Sequence, residues 1–105
     1  MDNLQVARAL RYIQDQYANP LLGVDDVVAV TNFSRRPLEI AFRKEMKRSR
    51  NEEITRWRME QVKKFLTNTK LKVVEVSALT GFSRPSHLFR TFRKLTGHSP
   101  KTWRA

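Results

Sequence analysis

Two groups of side chains suited to hydrogen bonding stand about fifty residues apart in this sequence. Arg35, Arg36 and Glu39, with Arg43 beyond them, form one; Ser86, His87 and Arg90, flanked by Arg84, form the other. Each group falls at the outward positions of a segment that reads as a helix. An arginine fork donates two hydrogen bonds to paired acceptors such as guanine O6 and N7, and a glutamate accepts from an amine such as cytosine N4. This is recognition chemistry, in which no covalent bond is made or broken. Catalysis finds little support elsewhere. The two histidines, His87 and His98, have no metal-ligand spacing. Glu52 and Glu53 read as dipole partners in the first turn of a helix. There is no glycine-rich phosphate loop and no serine-nucleophile motif. With no cysteine in the chain, disulfides, thiolate metal sites and cysteine nucleophiles are excluded. Neither an enzyme nor a cofactor is expected.

The elements that position these groups form a repeat. An offset of 49 residues matches Val24 with Val73, Val27 with Val76, Ala29 with Ala78, Thr31 with Thr80, and Phe33-Ser34-Arg35 with Phe82-Ser83-Arg84. An offset of 50 then matches Leu38 with Leu88, Phe42 with Phe92, Arg43-Lys44 with Arg93-Lys94, and Ser49 with Ser99. The second copy therefore carries one extra residue near Pro85. A repeat that preserves apolar positions and a corner together is a stronger signal than any single motif.

Read in order, residues 3–17 predict an amphipathic helix with Leu4, Val6, Ala7, Leu10, Ile13 and Tyr17 on its apolar side. Val24–Thr31 predicts a short second helix. Asn32 is expected in a left-handed turn, as Gly81 is in the other copy, with Phe33 as the turn's apolar anchor. Ser34 is the expected N-cap of a third helix over 35–46. A fourth runs from Arg50 to about Leu66, with Ile54, Trp57, Val62, Phe65 and Leu66 apolar, and spans roughly 25 Å at ~1.5 Å per residue. Val73–Thr80 and Arg84–Thr96 repeat the second and third helices. Gly97 closes the latter, and Ser99-Pro100 opens a last short helix. The expected fold is all-α, with seven helices making two helix-turn-helix units joined by a long linker helix. The expected divisions are 1–49 for the first unit with its bracing helix, 50–68 for the linker and 69–105 for the second unit.

Charge follows the same plan. The formal total is +11, yet residues 1–32 hold −2 and residues 33–105 hold +13. The step falls where the repeated corner begins, and it is the footprint of a polyanion-binding surface. Two helix-turn-helix units imply duplex DNA, with helices at about 35–46 and 84–96 reading adjacent major grooves. Base contacts are assigned to Arg35, Arg36, Glu39, Ser86, His87 and Arg90. Phosphate contacts are assigned to Ser34, Arg43, Lys44, Lys47, Lys72, Arg84 and Lys94, which fix register without reading sequence. The aromatic residues that the copies share are assigned to cores, whereas Phe89, whose counterpart is Glu39, falls on the DNA side, either to touch a thymine methyl or to cover the edge of the core. The alternative function is a non-specific architectural binder of nucleic acid, for which charge alone suffices. A basic amphipathic module on a membrane leaves the repeat unexplained, and no apolar run reaches the ~20 residues of a membrane span.

The residues Phe33-Ser34-Arg35-Arg36, Gly81-Phe82-Ser83, Phe92-Arg93-Lys94 and the run Gly97-His98-Ser99-Pro100-Lys101-Thr102-Trp103-Arg104 resemble the DNA-binding domain of the AraC/XylS family of bacterial transcription regulators. The first half carries a further likeness to xylose-type sugar regulators. The resemblance implies transcriptional regulation in the cytoplasm, RNA polymerase as a second partner, and the C-terminal part of a longer regulator whose effector-binding or dimerisation domain is missing here, the alternative being a small stand-alone regulator. Three positions depart from the family pattern. Lys47 stands where glycine ends the first recognition helix, Arg50 where proline starts the linker, and Glu53 where an aromatic is common.

Overall fold

The helical periodicity is realised as seven α-helices among residues 4–104, which the computed structural model describes, with no strand among them. They are α1 (Leu4–Gln16), α2 (Val24–Ala29), α3 (Arg35–Met46), α4 (Arg50–Asn68), α5 (Val73–Leu79), α6 (Pro85–Thr96) and α7 (Pro100–Arg104). The expected start of α1 at residue 3 lies outside the described residues. Helix α6 begins one residue later than expected because Arg84 is extended, at φ −139° and ψ 141°, and acts as N-cap ahead of Pro85. An extended conformation is what a residue before proline prefers. None of the described helices is long and apolar enough to cross a membrane.

The chain folds as two compact units. The described residues through Tyr17, together with Leu21–Trp57, make the first; Ala18–Pro20 with Arg58 onward make the second. Helix α4 thus lends its start to one unit and the rest to the other.

In the first unit, Val6, Ala9 and Ile13 of α1 meet Val27, Leu38, Phe42 and Ile54 in a closed core. The buried stripe of α1 differs from the expected one: Ala9 replaces Ala7, and Leu4 is 58% exposed. Positions 6, 9 and 13 keep one narrow face, to which residues 4 and 7 do not belong. The α2–α3 turn also departs from expectation. Lys47 is the non-glycine residue at positive φ among those described, so Asn32 is not left-handed. Its amide instead donates to Gln5 Oε1 of α1 at 2.7 Å. Phe33 is exposed, whereas Phe82 is buried, so the aromatic corner anchors the second copy only. Ser34 occupies the N-cap position without a side-chain capping bond.

Lys47 holds the left-handed conformation at φ 62° and donates its amide to the Arg43 carbonyl, as Gly97 does to Arg93 at φ 80°. The helix-ending geometry survives the loss of glycine, at a strain of roughly 1 to 2 kcal/mol. Helix α4 then opens with a reciprocal cap. Ser49 N–H donates to Glu52 Oε1 at 2.6 Å, and Glu52 N–H donates to Ser49 Oγ at 3.1 Å. Glu52 is therefore a capping partner, but Glu53 is not merely a dipole partner. It is fully buried and held by Arg48 at 2.8 Å and by both ends of the Arg56 fork at 3.1 and 2.9 Å.

The second unit gathers Met59, Val62, Leu66, Val76, Phe82, Leu88 and Phe92. Gly81, at φ 88°, makes the left-handed turn expected of it. Met59 joins this core beyond the apolar positions read for α4, while Trp57 and Phe65 are half-buried. Trp103 of α7 lies edge-on to Phe92, with ring centroids 5.6 Å apart. Next to it, Arg104 donates to the carbonyls of Phe65, Leu66, Thr69 and Leu71, and so binds α7 to the end of α4.

Candidate nucleic-acid interface

In both copies the second helix of the pair, α3 or α6, buries two residues in register, Leu38 and Phe42 or Leu88 and Phe92, and exposes most of its other side chains. Their i, i+4 spacing fixes which side chains point outward. All of the residues assigned to base or phosphate contact are exposed: Ser34, Arg35, Arg36, Glu39, Arg43, Lys44 and Lys47 in the first unit, and Lys72, Arg84, Ser86, His87, Arg90 and Lys94 in the second.

On α3, Arg36, Glu39, Ile40, Arg43 and Lys44 line an open, shallow concavity of about 490 Å³. Three cations surround one carboxylate and one apolar side chain, a mixture that meets phosphate, amine and methyl groups alike. Glu39 is flanked on both sides, with Arg35 Nε 3.7 Å from Oε1 and Arg50 Nη2 3.8 Å from Oε2. These are charge pairs, too long for hydrogen bonds. Arg43 faces Glu52 at 3.8 Å across two exposed side chains, a pairing of little strength in water. Burial pushes the Arg50 guanidinium below its ordinary value, the charge of Glu39 opposes this, and Arg35 adds to it; the net shift is downward.

On α6, Ser86, His87 and Arg90 occupy the first two turns behind Pro85, where a fixed φ suits the start of a helix. His87 rests edge-on against Phe82, with centroids 5.2 Å apart, so a buried turn residue orients an exposed side chain of α6. Lys44 and Lys94 sit in the last turns of α3 and α6, where cations suit the negative end of the helix. Lys72 caps the start of α5, its amide donating to Glu75 at 2.8 Å. Gly23 makes the same bond to Asp26 in the first copy, at 3.0 Å. Among the described residues, no three His, Cys, Asp or Glu side chains converge on a metal position.

A model of the helix-turn-helix domain family matches residues 27–105. The chain belongs to the AraC-type helix-turn-helix domains. This domain is 33% identical over 99 residues to the Msm operon regulatory protein of Streptococcus mutans, covering 94% of the chain and 35% of that protein. It superposes on the C-terminal domain of AraT, a response regulator from Geobacillus stearothermophilus, with a TM-score of 0.93 at 27% identity, over 97% of this chain and 84% of that one. It shares its fold with the DNA-binding domain of AdpA, a global transcriptional factor solved with a target DNA, at a TM-score of 0.88 and 24% identity, over 94% and 88% of the two chains. The chain spans 35% of the length of curated relatives such as the Msm regulator.

Two residues beside the expected contact positions were passed over in the sequence. Ile40 is 60% exposed in the middle of the α3 concavity, and the 50-residue offset places it opposite Arg90. The repeat carried that signal, obscured because an isoleucine reads as core. Arg50 looked like an ordinary cation at the start of a linker, and only the fold brings it behind Glu39.

Proposed function

We propose that the domain binds double-stranded DNA with sequence specificity and serves transcriptional regulation in the cytoplasm, without a catalytic step. The observation that carries this reading is that both recognition helices expose their first turns and cationic side chains while burying matched pairs of apolar residues. Arg35, Arg36, Glu39 and Ile40 on α3, and Ser86, His87 and Arg90 on α6, read base edges. Ser34, Arg43, Lys44, Lys47, Lys72, Arg84 and Lys94 hold phosphates. The two helices enter adjacent major grooves, which recur every ~34 Å. A solved neighbour captured on its target DNA supports the mode of binding, and curated relatives such as the Msm regulator are longer than the chain, which fits a domain of a longer regulator. RNA polymerase is the second partner of that reading.

Selection of bound duplexes from a random library tests this. The expected result is a motif of two blocks about one helical turn apart. Arg36→Ala or Arg90→Ala then loses about 1 to 3 kcal/mol on that motif and relaxes one base pair, while Lys44→Ala weakens all duplexes alike. Equal binding of selected and random duplexes at fixed salt makes the protein a non-specific architectural binder instead.

A further inference from the structure

The 50-residue offset pairs Glu39 with Phe89 and Arg50 with Pro100. The first unit thus has a carboxylate and a guanidinium where the second has two apolar residues, and the fold brings the charged pair to 3.8 Å. The joint replacement has a physical reason. A glutamate directed at a polyanion is repelled by it, so a fixed cation behind the carboxylate is needed for that position to be tolerated.

The two cations beside Glu39 differ in their freedom. The Arg35 side chain is 64% exposed and able to swing away to a base or phosphate. The Arg50 side chain is 10% exposed, with Nη1 donating to Asn51 Oδ1 at 2.9 Å. Its Nε is buried with no hydrogen-bond partner among the described residues. Such a desolvated donor is costly to maintain. What it secures is a cation that stays in place when Arg35 leaves.

We propose that Arg50 is a positioning residue for specificity, a cation beneath the DNA-facing surface that neutralises and orients Glu39 so that its carboxylate accepts from the base it reads. The proposal rests on the assignment of Glu39 to base reading. It gives Arg50 no contact with DNA, and it makes the residue's effect local to one base pair.

The test measures binding to the selected duplex and to its three single-base variants at each position, for the wild type, Glu39→Gln, Arg50→Pro, Arg50→Lys and Glu39→Gln/Arg50→Pro. Arg50→Pro introduces the residue that opens α7 in the other copy, at a helical position that favours proline. The preference lost in Glu39→Gln is expected to fall roughly 5- to 10-fold in Arg50→Pro at that same base pair. Arg50→Lys restores part of it, and the double variant discriminates no worse than Glu39→Gln alone. Preferences at the block read by α6 stay unchanged, which certifies folded protein in each sample. If Arg50→Pro lowers affinity equally for every duplex, or leaves the Glu39 base pair untouched while Glu39→Gln alters it, the positioning role is wrong and base reading by Glu39 stands. If Glu39→Gln alters no preference, both fall together.

Discussion

Ile40 is the apolar member of a charged concavity, and under the proposed reading this exposed isoleucine, ringed by Arg36, Arg43 and Lys44, meets a thymine methyl in the major groove. Ile40→Ala is expected to cost about 1 kcal/mol on the selected duplex, the order of one buried methyl group. Deoxyuridine in place of the contacted thymidine costs the wild type a similar amount and the variant nothing, which titration of the two duplexes measures directly. Glu53 poses a question of stability instead. Burial alone raises its carboxyl pKa, but hydrogen bonds and charge from Arg56 and Arg48 outweigh that and leave it below the ordinary carboxylate range. A carboxyl lowered on folding stabilises the native state above its unfolded value and ceases to do so as pH falls through its folded value. Its contribution is therefore complete at neutral pH and declines below about pH 4.3, the ordinary glutamate value. Glu53→Ala is expected to cost about 2 to 3 kcal/mol at pH 7, at or just below the usual range for a broken buried pair, because the two arginine side chains are 36% and 40% exposed and rehydrate. Urea unfolding at pH 7 and pH 3 checks this: the gap between variant and wild type narrows in acid.

At the level of elements, the ends of helices carry much of the organisation. Ser49 and Ser99, paired by the repeat, both cap the helix that follows, Ser49 through Glu52 and Ser99 by accepting the Thr102 amide at 3.1 Å. Thr31 and Thr80 both turn their hydroxyls back onto α2 and α5, donating to the carbonyls of Val28 and Val76. The end of α4 has no basic residue in its last turn, and Arg104 supplies the missing donors from α7. Arg104→Ala is expected to destabilise the second unit by about 2 kcal/mol, the order of one charged hydrogen bond, since carbonyls at the helix end partly rehydrate. Hydrogen exchange locates the effect, with protection lost first at the end of α4 and in α7 while α1 and α3 keep theirs.

At the scale of the molecule, the decisive feature is two cores, each of seven buried apolar residues among those described, with no member in common. A protein of this size has only about 5 to 15 kcal/mol of stability to divide between them. Phe92→Ala, in the second core, removes about 3 to 5 kcal/mol. The melt is then expected to split in two, with the second unit's amides losing protection at a temperature where those of Val6, Ile13 and Phe42 retain it. A single transition common to all amides overturns the independence of the cores.

The apolar periods of α3 and α6, the left-handed glycines at 81 and 97, the N-cap serines and the step in charge at residue 33 were all legible in the sequence, because each depends on neighbours a few positions away. The same local logic gave the fold class, the family resemblance and the outward faces of both recognition helices. It failed at Asn32, Arg50 and Arg104, whose partners come from other helices, and at Glu53, whose two arginine partners lie within five residues but whose complete burial depends on packing. Asn32 is tied to Gln5 in α1, Glu53 is enclosed by Arg48 and Arg56, and Arg104 closes the end of α4 from more than thirty residues away. Local preference cannot register a partner that only packing brings near, so the tertiary structure alone decided which charges are buried and which are joined across helices.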